Sequence, residues 1–330
     1  MKSFEYAVPD SLDKVYEYLK SPNTKLKGGG IDLIDLMKEE ILAPARLVDI
    51  RDIKELMVFE TDKTGNMIIG AGHTLSQLAA SKLLTGPFLA LSQAVGNAAF
   101  PQVRNAATLG GNLCQRPRCW YFRSMDFHCS RKGGDSCFAL DGENQYHAIF
   151  ENSDGCAFVQ PSSAAVALLA LNARLKISDG DKTSEVPLEE FYVSPGKDIE
   201  RETILNADQV ILSVIIPSEM KPYVSSYLKQ KEKQAYDWPL ADAAVALKIS
   251  GKVCQDARIA MGSVAPIPLR ALQAEKYLIN KKVDKESAQA AAAFAVQTAT
   301  PLAENTYKVR IIQTIIYRTI CQAAGIDPMN

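Results

Sequence analysis

Apolar positions near the start of the chain are spaced for a helix: Leu12, Val15, Tyr16 and Leu19 share one face behind Ser11, and Ser21-Pro22-Asn23 closes the segment. After a turn at Lys27-Gly28-Gly29-Gly30 the helical spacing returns through Ile31, Leu33, Ile34, Leu36 and Met37. Leu47 to Ile50 reads as a short strand. A boundary near residue 55 separates this small α/β unit from a middle part. There Met67 to Ile69 reads as a strand, Leu75 to Leu84 and Phe88 to Val95 as helices, and Ser163 to Leu171 as a helix apolar enough to be buried all round. Leu175 to Ile177 and Val210 to Ile216 read as strands, the second stopped by Pro217. From about Pro222 a last part begins, with strands at Ala241 to Ile249 and Ala257 to Ser263. A rigid turn through Pro266 and Pro268 feeds a helix at Leu269 to Leu278, and helices follow at Glu286 to Gln297 and Tyr307 to Ala324. Interleaved strands and helices before a helix-rich tail predict an α+β protein in three pieces, 1–55, 56–221 and 222–330.

With 330 residues the chain is long enough for two or three sub-domains with their own cores. Its 37 Lys and Arg are balanced by 38 Asp and Glu and form no basic block, which excludes a nucleic-acid binder. The longest apolar run, Ala164 to Leu171, is far short of the roughly 20 residues that cross a bilayer, so no membrane span is expected. The N-terminus, M-K-S-F-E-Y-A-V-P-D, lacks the apolar core of a signal peptide, and the cysteines are odd in number and clustered. A reducing, cytoplasmic location is expected, with the periplasm reached only by export alongside a partner that carries a signal.

Two features carry candidate chemistry. Lys27-Gly28-Gly29-Gly30 before a helix, and Thr108-Leu109-Gly110-Gly111-Asn112 further on, are turns in which glycine lets the backbone approach an anion. Neither has the spacing of a Rossmann fingerprint or a P-loop, so the two would have to share one pyrophosphate between sub-domains. The second feature follows directly. Five of the seven cysteines, Cys114, Cys119, Cys129, Cys137 and Cys156, lie between residues 114 and 156. No C-x-x-C is present, and Lys132-Gly133-Gly134 gives an irregular loop its freedom. Thiolates from Cys119, Cys129, Cys137 and Cys156 can hold a [4Fe–4S] cluster, hold zinc, or stand unligated. His128 is an alternative ligand, Cys114 a non-ligating fifth thiol, and Cys254 and Cys321 core residues. His147 reads as structural.

These motifs resemble a known family. K-G-G-G-I-D-L at Lys27 to Leu33, Q-V-R-N followed by T-L-G-G-N up to Asn112, and A-M-G-S-V-A-P-I-P-L-R-A at Ala260 to Ala271 resemble the FAD-binding subunit of molybdenum hydroxylases, the xanthine dehydrogenase, carbon monoxide dehydrogenase and aldehyde oxidoreductase family. The resemblance covers nearly the whole chain. It implies a two-subdomain FAD-binding fold of the vanillyl-alcohol-oxidase type, with a C-terminal α+β domain of the carbon monoxide dehydrogenase flavoprotein type. The pattern R-C-W-Y-F-R … C-x2-K-G-G-x2-C further resembles the [4Fe–4S] insert of 4-hydroxybenzoyl-CoA reductase and of some bacterial aldehyde oxidoreductases. It implies Cys119, Cys129, Cys137 and Cys156 as ligands.

By the same resemblance, Leu26, Lys27, Gly28, Gly29, Gly30, Ile31, Asp32 and Leu33, with Thr108, Gly110, Gly111 and Asn112, hold the FAD pyrophosphate. Ile211 and Lys229 match positions near the flavin. Where the family often reads H-P-S-D, this chain has Gln160-Pro161-Ser162-Ser163, so Ser163 replaces an aspartate that contacts FAD. The implied function is that of a redox subunit beside a large molybdenum-cofactor subunit and a small subunit with [2Fe–2S] clusters, exchanging electrons with a small-molecule acceptor or donor. The rivals are a stand-alone flavin oxidoreductase and a zinc-stabilised binding scaffold.

Overall fold

The computed structural model describes residues 1–233 and 237–329. Three sheets follow one another along the chain. In the first, β1 (Glu5–Ala7), β2 (Thr24–Lys27) and β3 (Arg46–Asp49) are parallel, in the order β1-β3-β2. Parallel neighbours need crossovers, and the helices Leu12–Leu19 and Ile31–Lys38 supply them. Val15, Leu19, Val48, Ile53 and Leu56 form the core of this unit, closed by Val210 from the second sheet.

That second sheet has five strands: β4 (Phe59–Thr61), β5 (Met67–Gly70), β6 (Arg174–Ser178), β7 (Thr183–Pro187) and β8 (Val210–Ile216), in the order β4-β5-β8-β6-β7 with antiparallel neighbours. Helix Ser163–Ala170 shares a core with Ile69, Leu175 and Val214 of this sheet, and all its residues are buried, as its sequence S-A-A-V-A-L-L-A demands of a helix without a polar face.

The third sheet is antiparallel, in the order β12-β11-β10-β9: β9 (Val224–Lys231), β10 (Pro239–Ser250), β11 (Val253–Gly262) and β12 (Leu269–Arg270). Strand β10 is covered on both faces, which explains its nearly continuous apolar run. Ala241, Ala243, Val245 and Leu247 face a core shared with the helices Lys285–Ala295 and Tyr307–Ala323. Ala244 and Ala246 face the other way, into the core built around Ser163–Ala170. The mixed α/β architecture agrees with the fold expected from the sequence.

Several elements differ from the reading of the pattern. The glycine-rich Thr108–Asn112 segment is the start of a one-turn helix, Leu109–Leu113, capped by the Thr108 hydroxyl. The helix expected from Leu75 to Leu84 ends at Ala79, and that expected from Leu269 starts only at Leu272, because Leu269–Arg270 pairs with β11.

Candidate cofactor site

A cavity of about 1000 Å³ opens between the first two sheets and the edge of the third. The two glycine turns meet on its wall. Gly28 packs so closely on the second turn that a β-carbon there would stand 2.6 Å from Thr108 Oγ1, and one on Gly29 would stand 2.2 Å from the Ala106 carbonyl oxygen. At Gly29 no side chain fits against that backbone, and at Gly28 one would have to displace the Thr108 hydroxyl. Gly30 has a φ of 74° and caps the helix Ile31–Lys38, whose first-turn N–H groups face the cavity rim with the positive end of the helix dipole. The second turn is fixed by Leu109 N–H donating to the His73 carbonyl (2.8 Å), Gly110 N–H to that of Ala71 (2.9 Å), and Gly111 N–H to Thr108 Oγ1 (3.1 Å).

All the cofactor positions read from the sequence, Leu26 to Leu33, Thr108, Gly110, Gly111, Asn112, Ser163, Ile211 and Lys229, line this one cavity. Their side chains do different things. The Lys27 ammonium is bound to Asp49 Oδ2 at 2.9 Å and does not stand free as an anion ligand. Burial pulls the Asp49 carboxyl up, but hydrogen bonds from Arg51, Tyr6 and Lys27 outweigh it and hold the group well below the usual carboxylate range. Asp32 is likewise committed. It accepts from the backbone N–H of Arg116 (2.8 Å) and pairs with Arg118 (3.0 Å) and Arg123 (2.6 Å), which ties the first turn to the start of the cysteine loop. Lys229 Nζ donates to the Asn97 carbonyl (3.3 Å) and to Ser163 Oγ (3.4 Å). Burial lowers the Lys229 pKa to about 8, partly countered by the charge of Asp242. Ser163 thus faces a lysine across the cavity wall.

The motifs gave no hint of other cavity residues: Arg116 and Glu202, paired at 3.0 Å, and Trp238, whose exposed ring lies 4.6 Å from the Arg118 guanidinium. Cys114 also lines the cavity, its thiol pushed up to about 12 by burial and by Glu202.

The remaining loop cysteines sit near one another beyond this wall, in a loop whose Trp120, Tyr121, Phe127 and Phe138 rings pack on each other. Cys119 and Cys129 pack with Leu36 and Phe122. The thiols of Cys137 and Cys156 hydrogen-bond to each other, which lowers the Cys137 pKa to about 6 and raises that of Cys156. Backbone N–H groups surround these sulfurs: those of Tyr121 and Phe122 at Cys119, of Ala139, Leu140 and Ala157 at Cys137, and of Phe158 at Cys156. His147 Nε2 lies 3.2 Å from Cys119 Sγ, a contact its sequence context did not announce. Burial and the nearby Lys308 lower the His147 pKa to about 4, leaving the ring neutral. His128, the alternative ligand, has its backbone packed against Gly134.

Among the described residues no three His, Cys, Asp or Glu side chains are arranged to hold a single metal ion. A cubane spreads its ligands more widely, since each sulfur binds a different iron. The donor set suits such a group: four neighbouring thiols, two of them buried, with backbone N–H groups directed at three of them. Buried polar atoms without partners also concentrate here, at Arg118 Nε, Arg131 Nε and Nη1, Gln145 Oε1 and His147 Nδ1.

The insert is fastened to the third sheet. Buried Lys308 donates to the carbonyls of Tyr146 (3.1 Å), His147 (2.9 Å) and Ser263 (2.8 Å), and Asn305 Nδ2 to those of Asn144, His147 and Ala148. Among the described residues no helix is long and apolar enough to cross a membrane.

Comparison with known proteins agrees with this geometry. Residues 2–219 match the FAD binding domain in molybdopterin dehydrogenase, and residues 226–323 the CO dehydrogenase flavoprotein C-terminal domain. The chain is 32% identical to the aldehyde oxidoreductase FAD-binding subunit PaoB of Escherichia coli K12, over 98% of this chain and 99% of that one. It is 24% identical to a xanthine dehydrogenase FAD-binding subunit of Escherichia coli O157:H7, over 92% and 90% of the two chains. The solved carbon monoxide dehydrogenase of Hydrogenophaga pseudoflava has the same fold, with a TM-score of 0.77, 24% identity and 98% of each chain covered. A cavity cradled by two interlocked glycine turns, on a chain matched almost end to end, identifies this protein as a member of the FAD-binding subunits of the molybdenum hydroxylase, or molybdopterin dehydrogenase, family.

Proposed function

We propose that this chain is the FAD- and [4Fe–4S]-bearing electron-transfer subunit of a heteromeric molybdenum-cofactor hydroxylase, working beside a large molybdenum subunit and a small [2Fe–2S] subunit. The observation that carries the reading is the meeting of both glycine turns on one cavity, with a buried thiol loop tied to the same wall through Asp32. Leu26 to Leu33 with Thr108, Gly110, Gly111 and Asn112 would hold the FAD pyrophosphate, and Ser163, Ile211 and Lys229 the flavin end. Cys119, Cys129, Cys137 and Cys156 would ligate the cluster. Bound FAD supplies exchange of single electrons with iron–sulfur centres and of electron pairs with a small-molecule acceptor or donor.

The chain's own residues bind and shield. Gly28 and Gly29 let the first turn seat against the second, where a side chain would force the two apart, and the Lys229 ammonium places a positive charge on the cavity wall. The relatives in Escherichia coli are named as subunits, which supports an assembly in which substrate is oxidised on another chain. The three sheets support a division near residues 55 and 221.

The test is iron, sulfide and flavin analysis of anaerobically purified protein, with EPR of the reduced form. One FAD and a cluster signal are expected. Flavin without iron would remove the cluster and leave a simpler flavin subunit, and zinc in place of iron would favour the scaffold role for the loop.

A further inference from the structure

Arg131 lies in the loop between Cys129 and Cys137, and its side chain is 1% exposed. The guanidinium stacks 4.4 Å from the centre of the Phe158 ring, and Nη2 donates to Glu202 Oε1. Nε and Nη1 are equally buried and have no partner. A buried donor on a charged group left unmatched costs upwards of about 1–3 kcal/mol, and arginine cannot shed its proton to escape that cost. Such a group is retained where something accepts from it. The thiols are on hand: Arg131 stands two residues after Cys129, and the Phe158 ring on which its guanidinium stacks stands two residues after Cys156. On its other side Arg131 shares Glu202 with Arg116, and both of those residues line the flavin cavity.

We propose that Arg131 is a positioning residue for the iron–sulfur cluster, donating from Nε and Nη1 to its sulfurs and raising its reduction potential, with Glu202 as the counter-charge that holds the guanidinium and moderates its effect. This rests on the cluster reading above. N–H donors and positive charge beside the sulfurs stabilise the reduced, more negative state. The arrangement therefore places the setting of the cluster's potential in the same wall that borders the flavin.

The experiment is an EPR-monitored redox titration of the purified holoprotein, with iron and flavin contents measured in parallel. In Arg131→Met the cluster should be harder to reduce, with the reduced-to-oxidised ratio at a fixed ambient potential falling about tenfold, equivalent to about 59 mV for one electron. Arg131→Lys keeps the charge and should shift less. Glu202→Gln removes the counter-charge and should shift the potential the opposite way, which a residue needed only for folding would not do. Unchanged potentials in Arg131→Met and Glu202→Gln, with iron retained, would overturn the proposal while leaving the cluster reading intact. No iron in the unaltered protein would remove both. If Arg131→Met loses its iron, Glu202→Gln decides, together with pulsed EPR on unaltered protein grown with isotopically labelled arginine. Nitrogen coupling to the reduced cluster is expected there, and its absence would overturn the proposal.

Discussion

A β-carbon on Gly29 would stand 2.2 Å from the carbonyl oxygen of Ala106, so the two glycine turns interlock before any ligand is considered. The contact joins the first sheet to the segment that leads into Thr108. It makes the cavity a property of both units together, and it sets apart glycines that look alike in sequence.

Gly29→Ala should therefore lose most of its flavin and about 1–3 kcal/mol of stability, the usual effect of forcing extra atoms into packed backbone. Gly111→Ala should be milder, because its β-carbon would meet only the Thr108 hydroxyl, at 3.0 Å, which has to give by a few tenths of an ångström. Flavin absorbance per chain and thermal unfolding of both variants check this. Equal flavin loss in the two would mean that the interlock is not what shapes the site.

Asp32 predicts a different kind of failure. It gathers the Arg116 backbone and the side chains of Arg118 and Arg123 at the start of the cysteine loop. Asp32→Ala leaves these donors without their shared acceptor, at about 1–3 kcal/mol. The loop should loosen, so limited proteolysis between residues 124 and 140 should speed up and iron should be lost ahead of flavin. Asp32→Asn keeps an acceptor and should fall between. Cleavage at the unaltered rate in Asp32→Ala would show that the anchor lies elsewhere.

The cysteines divide in a testable way. Cys137→Ser and Cys156→Ser each break a mutually hydrogen-bonded pair and should lose most iron while keeping FAD. Cys114→Ser alters the flavin cavity, and Cys254→Ser and Cys321→Ser alter the C-terminal core, so all three should keep their iron. Metal analysis after anaerobic purification reads the difference. Full iron in Cys137→Ser would remove it from the ligand set.

Much of the fold was legible because its main elements follow simple periodicity. The helix Ser163–Ala170 and the doubly covered strand β10 are nearly continuous apolar runs. Strands β2 and β9 were not legible. Their sequences, T-K-L-K and V-S-S-Y-L-K-Q-K, carry charges and hydroxyls at positions that face the cavity or a buried polar network. The glycine turns could be seen as motifs, but their shared contact could not, since it depends on how two sheets approach. Glu202, Trp238 and Arg131 sit in loops where no local pattern marks them, and only the fold brings them to the cavity or the thiols. The contact of His147 with Cys119 arises in the same way, from the hold of Lys308 on the insert.

Two buried lysines make the stability of the fold depend on pH. Burial lowers Lys308 to about 7, opposed by Asp242, and Lys229 to about 8. In the unfolded chain both return to the ordinary lysine value near ~10.4. Below the lowered values both states carry the protons, and folding bears the full penalty of burying the charges. Between the lowered values and the ordinary one the unfolded chain binds more protons than the folded one, so stability rises with pH, by up to ~1.4 kcal/mol per pH unit for each lysine. Thermal unfolding of the holoprotein should thus shift upward from pH 7 to 9.5. Lys308→Met should lower stability at every pH, since three carbonyls lose their donor, and should also flatten the rise. A rise as steep in Lys308→Met as in the unaltered protein would mean that Lys308 does not titrate in this window, and that the insert is held by a lysine that stays charged throughout.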